Sequence, residues 1–198
     1  MHNFKLYPAA AFRLPASLLL LLLSLALGAL PSAHAAEPAR AQQSACGIEP
    51  ADTAASSPDT LVKTLYDIVS GPAKATKDWA RLARLHAPGA LITPTQHVKA
   101  GFAAAPQSLS QFIELNKRIF ATRGFHERET SHRVERFGHI AHVWSGYETR
   151  EHPGGPVQAR GLNSFQLLND GQRWCVLSAT WDIDSAEHPL PRADGALK

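Results

Sequence analysis

Arg160, Asn163 and Asp182 stand in stretches otherwise built from strand-forming apolar residues. Polar groups buried in such stretches must find partners. Either Arg160 and Asp182 pair across neighbouring strands, or all three belong to the few polar groups that orient a ligand in an apolar pocket. Tyr66, Trp79, Tyr147 and Trp181 are the aromatics placed to line such a pocket. Core or interface packing is the competing use of each, and of Trp144. Arg160 and Asn163 are three residues apart, so a regular strand points them to opposite faces. Both reach one cavity only if Gly161 marks a bend or bulge. The expectation is therefore a bend near Gly161, with Asn163 in the cavity wall and Arg160 at its mouth beside Asp182.

Other chemistries find less support. Eight of the ten histidines lie beyond residue 35. His139 and His142 would point to opposite faces of a strand, and His126 and His132 would lie roughly 20 Å apart at strand rise. No metal site is expected. Ser145 and Ser164 lack the tight glycine-flanked elbow of a serine nucleophile. No Walker A loop, GxGxxG turn, HExxH helix or CxxC pair occurs, so no cofactor is called for. Cys46 and Cys175 are the two cysteines. A single bridge between them is one reading; a buried free Cys175 with Cys46 in a mobile tail is the other. Lipid modification of Cys46 is disfavoured, because Gln43 is polar and the cysteine lies well past the apolar run.

That run defines the first segment. Lys5 and Arg13 precede a stretch from Leu18 to Leu30 that is apolar apart from Ser24, and Ala33-His34-Ala35 supplies a small-x-small cleavage pattern. Residues 1–35 thus read as a signal peptide, the run being shorter than the roughly 20 residues of a membrane-spanning helix. The expected destination is the periplasm or the exterior, with no membrane attachment after cleavage. Past the leader, bases and acids nearly balance. Arg133 and Arg136 alternate with Glu127, Glu129 and Glu135 as a solvated strand face would, so nucleic-acid binding is not expected. With 44% of residues hydrophobic and 19% charged, the remainder can form one globular domain.

The elements that must position these residues follow from punctuation. Residues 36–57 are rich in Ala, Ser, Gln and Pro and read as a flexible tail. Ser57-Pro58-Asp59 opens a helix carrying Leu61, Leu65, Ile68 and Val69, which Gly71-Pro72 stops. A second helix is expected from Thr76 to Pro88, then a short strand at Leu91-Ile92 cut by Pro94. Thr95 to Gln107 has no clear pattern. Ser108 and Gln111 form a capping box for a third helix closed by Gly124. Four strands follow, at about 125–137, 139–150, 157–168 and 172–183, with Asn169-Asp-Gly171 as a hairpin turn. In the last hairpin Phe165, Leu167, Trp174 and Val176 suit one face, and Leu168, Leu177, Ala179 and Trp181 the other. Residues 185–198 read as an unstructured tail. Helices followed by a strand meander make an α+β domain, with helices packed on a curved antiparallel sheet.

This order of elements over 58–184 resembles the nuclear-transport-factor-2-like, or SnoaL-like, α+β cone. The resemblance rests on the helix pair, on Leu85-His-Ala-Pro-Gly-Ala-Leu-Ile92 leading into a strand, on the helix from Ser108, and on Asn163-Ser-Phe-Gln-Leu-Leu-Asn-Asp-Gly171. It implies a mostly apolar internal pocket and, in many members, a homodimer through the sheet. It does not choose among that group's enzymes, binding proteins and interaction modules. Ketosteroid isomerases of the group use a carboxylate base and an acid-and-tyrosine oxyanion site. Here Thr93 and Ser164 stand at the positions of the two acids, and only Tyr66 matches. Three functions are therefore expected to compete. The first is binding of a small, largely apolar molecule in the cone. The second is lyase, isomerase or cyclase chemistry with Tyr66, Asp182 or a nearby His as acid/base. The third is a dimeric interaction module.

Overall fold

The computed structural model describes residues 44–47, 52–98 and 101–190. The leader expected at residues 1–35 and the last eight residues lie outside them.

Helix α1, Pro58–Val69, starts where the capping residues require: Ser57 and Thr60 satisfy each other's backbone N–H groups, and Pro58 occupies the first turn. Leu61, Val62, Leu65 and Tyr66 fall on one face and are buried. Each such aliphatic side chain contributes about 2 kcal/mol on leaving water. Helix α2 is shorter than expected, Trp79–Arg84, because Asp78 and not Thr76 caps it. Residues 52–57, read as tail, are ordered instead. Asp52 caps a 3-10 turn at Thr53–Ser56 and holds Arg81 through two contacts of 2.7 and 2.9 Å, which keeps its carboxyl down at about 2. Helix α3, Leu109–Phe120, carries the expected Ser108–Gln111 capping box.

The strands are β1 His86–Val98, β2 Gly101–Ala104, β3 Gln107–Ser108, β4 His126–Phe137, β5 Ile140–Arg150, β6 Val157–Asn169 and β7 Trp174–Ile183. They form one curved, unclosed sheet in the order β2-β1-β7-β6-β5-β4, with β3 also on β1. The sheet is mixed and not wholly antiparallel, since β1 runs parallel to β7. These two strands come from opposite ends of the domain, so no hairpin constrains their direction. Strand β1 also continues through Pro94. That residue lies where the outer edge is unpaired, between Ile92 facing β3 and Thr95 facing β2, so its missing N–H costs no ladder bond.

Two bulges set which side chains face the helices. Phe165 pairs with Ala179 but Leu167 pairs with Val176, which leaves an extra residue in β7. The parity resets there, so Ala179 joins Phe165, Leu167, Trp174 and Val176 in the core, with Trp181 packed against it. The expected division of that hairpin fails for Ala179 and Trp181 for this reason. In β4, Glu129 pairs with Tyr147 and Ser131 with Gly146, so Thr130 is the extra residue. Glu127, Glu129, His132 and Val134 consequently share the inner face. The solvated alternation read for this strand is wrong for both glutamates.

Cys46 and Cys175 form a disulfide, with Cα atoms 5.6 Å apart and 129 residues between them in sequence. Arg173 reinforces the clip by donating to the carbonyls of Cys46 and Gly47, and Ser44 bonds Asp170. No described helix is long and apolar enough to cross a membrane.

Candidate functional site

Between the helices and the inner face of the sheet lies a cavity of about 320 Å³. Its walls are mostly apolar, with Leu65, Phe112, Phe120, Phe125, Phe165 and Trp181 among them. Polar groups enter from several elements, His86 from β1, and Asn116 and Arg123 from α3 and the turn beyond it, among them. Tyr66 comes from α1, Glu127 from β4, Tyr147 and Thr149 from β5, and Asn163 from β6.

Glu127 sits at the inner parity of β4, opposite Thr149, and no cation among the described residues contacts it. Burial drives its carboxyl up from 4.5 to about 7, and one hydrogen bond, from Asn163 Nδ2 at 3.4 Å, offsets this only in part. The same Asn163 amide donates to the Tyr66 hydroxyl at 2.9 Å. Tyr66 lies 2.6 Å from Ser145 Oγ, and Ser145 in turn donates to Glu129. A serine has one proton to give. Since that proton goes to the carboxylate, the Tyr66 phenol must donate to Ser145. Glu129 is held by His132 Nδ1 at 2.7 Å, and His132 Nε2 reaches Asp59 at 3.0 Å. This chain of bonds runs from the surface to the cavity and needs the bulge at Thr130, which puts Glu129 and His132 on one face.

Tyr147 differs from Tyr66. It is buried and lines the cavity, yet its hydroxyl has no hydrogen-bond partner among the described residues, and only burial and the charges of Glu127 and Asp182 raise its pKa. Its proton is therefore available to a ligand. The ring lies across Gly161 of the facing strand, where an added Cβ would collide with it. Gly161 is needed for that close approach, not for a bend: the ladders through 159–164 are regular, and the nearest irregularity leaves Gln158 unpaired. His86 also lines the cavity. Its Nδ1 bonds the Leu82 carbonyl at 2.7 Å, and burial pushes its pKa down to about 4, so the ring stays neutral.

Of the seven residues read as pocket-lining, Tyr66, Tyr147, Asn163 and Trp181 are in the wall. Trp79 lies off it, stacked on Phe120 at 6.1 Å between ring centres. Arg160 is on the outer face, 4.0 Å from Glu148, because the strand keeps its alternation through Gly161. Asp182 accepts from Thr95 at 2.6 Å, outside the wall. Ser164 faces outward too and bonds His142. Glu127 was missed, although Phe125 two residues earlier shares its parity and marks an inward face. Among the described residues, no three His, Cys, Asp or Glu side chains gather as metal ligands.

No family model matches the sequence, and no curated protein matches it. Solved structures do resemble the fold. A putative calcium/calmodulin-dependent protein kinase type II association domain from Thiobacillus denitrificans superposes with a TM-score of 0.53 at 10% identity, over 69% of this chain and 100% of its own. An NTF2-like protein with a cystatin-like fold from Novosphingobium aromaticivorans gives 0.47 at 15% identity, over 65% and 81%. A putative ketosteroid isomerase from Shewanella frigidimarina gives 0.44 at 14% identity, over 62% and 91%. At these identities the likeness bears on the fold alone: over 69% of its length the chain shares the α+β fold of the Thiobacillus protein.

Proposed function

We propose that this protein takes a small, largely apolar molecule into the cone and moves a proton on it, as an isomerase or lyase does. One observation carries the reading: a carboxyl in the wall of an apolar cavity, raised to about 7 with no cation beside it. Such a group is part carboxylate and part acid at neutral pH, so it can both take and return a proton. Glu127 takes the proton from a carbon next to a carbonyl. The electron pair moves onto the carbonyl oxygen, and the free Tyr147 O–H donates a hydrogen bond to it. Returning the proton to another carbon completes an isomerisation, whereas expelling a neighbouring group gives an elimination. Asn163 holds Glu127 in place and is itself anchored on the Tyr66 hydroxyl, whose own proton is committed to Ser145.

The disulfide supports an exported setting, periplasmic or extracellular, in which such a bond persists. A homodimer through the outer sheet face belongs to the same proposal, and light scattering on the purified protein reads it directly.

Deuterium exchange from D2O into the α-carbon of an apolar ketone such as 4-phenylbutan-2-one tests the chemistry. The native protein should exchange faster than buffer, and Glu127→Gln should lose on the order of 100-fold of that rate. A native protein that binds such ketones without exchanging them is a binding protein, and the catalytic reading fails.

A further inference from the structure

Helix α3 turns one stripe toward the cavity. Phe112, Asn116 and Phe120 follow at four-residue spacing, and Arg123 in the turn beyond extends the same line. Arg123 is the single permanent cation among the residues lining the cavity, since His86 stays neutral. It is exposed, and its guanidinium has no partner among the described residues. The other arginines near structural joints are engaged: Arg81 with Asp52, Arg128 and Arg150 with Glu148, Arg173 with the carbonyls of Cys46 and Gly47.

Arg123 forms no ion pair with Glu127 among the described residues. The carboxyl is raised by burial and relieved only by Asn163, so no cationic charge acts on it. The cavity thus has two poles. An exposed guanidinium and a half-buried carboxyl both line it, together with the rings of Phe112, Phe120, Phe125 and Trp181. Reversing an anionic ligand would set its charge against Glu127 in a poorly hydrated pocket, so the two poles select one orientation.

We propose that the molecule taken into this cavity carries an anionic oxygen group, a carboxylate or phosphate, which Arg123 holds at the mouth while the apolar body reaches Glu127. Guanidinium suits such groups because its planar fork matches two oxygens at once. The proposal rests on the cavity being the binding site, but it does not require the proton-transfer step.

Three probes of one shape test it by calorimetric titration: 4-phenylbutanoate, 3-phenylpropyl phosphate and the neutral 4-phenylbutanamide. The native protein should bind the anions about tenfold more tightly than the amide, a modest charge-assisted contact at an exposed site. Added salt should shrink that preference. Arg123→Gln should abolish it and leave amide binding unchanged; because the side chain is exposed and unpartnered, thermal unfolding of this variant should match the native protein. The tighter of the two anions names the head group. Equal native affinity for all three probes, or a variant that weakens all three alike, overturns the role of Arg123 and leaves the cavity reading intact. A native protein that binds none of the three overturns both.

Discussion

Glu127 and Glu148 lie on adjacent strands, close in the sheet and on opposite faces. Glu127 pairs opposite Thr149, the residue after Glu148. Glu127 is half-buried, and the Glu148 side chain is only 5% exposed. Arg128 and Arg150 each reach Glu148 Oε1 at 2.9 Å, and Arg160 lies 4.0 Å away. Arg128 and Arg150 hold its carboxyl below the ordinary value. Glu127 has the same chemistry and no cation, and it moves the other way, to about 7. Burial alone therefore does not set the direction of a carboxyl's shift; what shares the burial does. The outer glutamate neutralises a cluster of arginines and works as structure. The inner one is left ready to exchange a proton, at a cost to the fold.

That cost is measurable and is the largest effect the contrast implies. At pH values between the ordinary 4.5 and about 7, the folded chain holds a proton on Glu127 that the unfolded chain has released. Folding stability therefore falls as pH rises through this window and levels off above it. The loss is about 2–3 kcal/mol at pH 8 relative to pH 4, allowing for water in the open cavity. Glu127→Gln should remove this slope, so the difference between the two proteins in urea midpoints should grow from pH 4.5 to 7.5. His86, pushed down to about 4, weakens the fold as pH falls below 6.5, but it does so in both proteins and cancels from the difference. A difference that stays flat with pH would mean that Glu127 is ionised like a surface glutamate.

The outer glutamate should show the opposite sign and a smaller effect. Glu148→Gln leaves Arg128, Arg150 and Arg160 facing one another, so the melting temperature should drop at pH 7. Because the native carboxyl is depressed, the stability it contributes is present above pH 4.5 and fades as pH falls through its folded value. The gap between native and variant should close toward pH 3. Since Arg128 and Arg160 are largely exposed, salt should narrow it too. A variant equal to the native protein at pH 7 would reduce the cluster to surface decoration.

The contrast also marks what was legible in the chain. Helices α1 and α3 and the four late strands follow from local punctuation: Ser57-Pro58, the Ser108–Gln111 box and Asn169-Asp-Gly171 act within a few residues. Tyr66, Tyr147, Asn163 and Trp181 could be picked as wall residues because each is a polar or aromatic group in an apolar run. Glu127 had only Phe125, two residues earlier at the same parity, to mark it. It alternates with Arg128 as a solvated strand residue would, and the covering of β4 by α1 decides which face is inner. The extra residues in β4 and β7 change which side chains share a face. They are set by the neighbouring strand's register, which no local pattern of β4 or β7 carries. Gly161 shows the same limit. Its need for space was readable, but the cause is the Asp182 carbonyl and the Tyr147 ring on the neighbouring strands, not a bend in its own.

The most direct test is a titration of the Glu127 side-chain carboxyl by carbon-13 NMR in uniformly labelled protein, with Glu127→Gln as the assignment control. A midpoint near 7 is expected for that one resonance, with Glu148 titrating below the ordinary range. A Glu127 midpoint at or below about 4.5, the value of an ordinary glutamate, would contradict the central claim that the cavity holds a carboxyl poised for proton transfer.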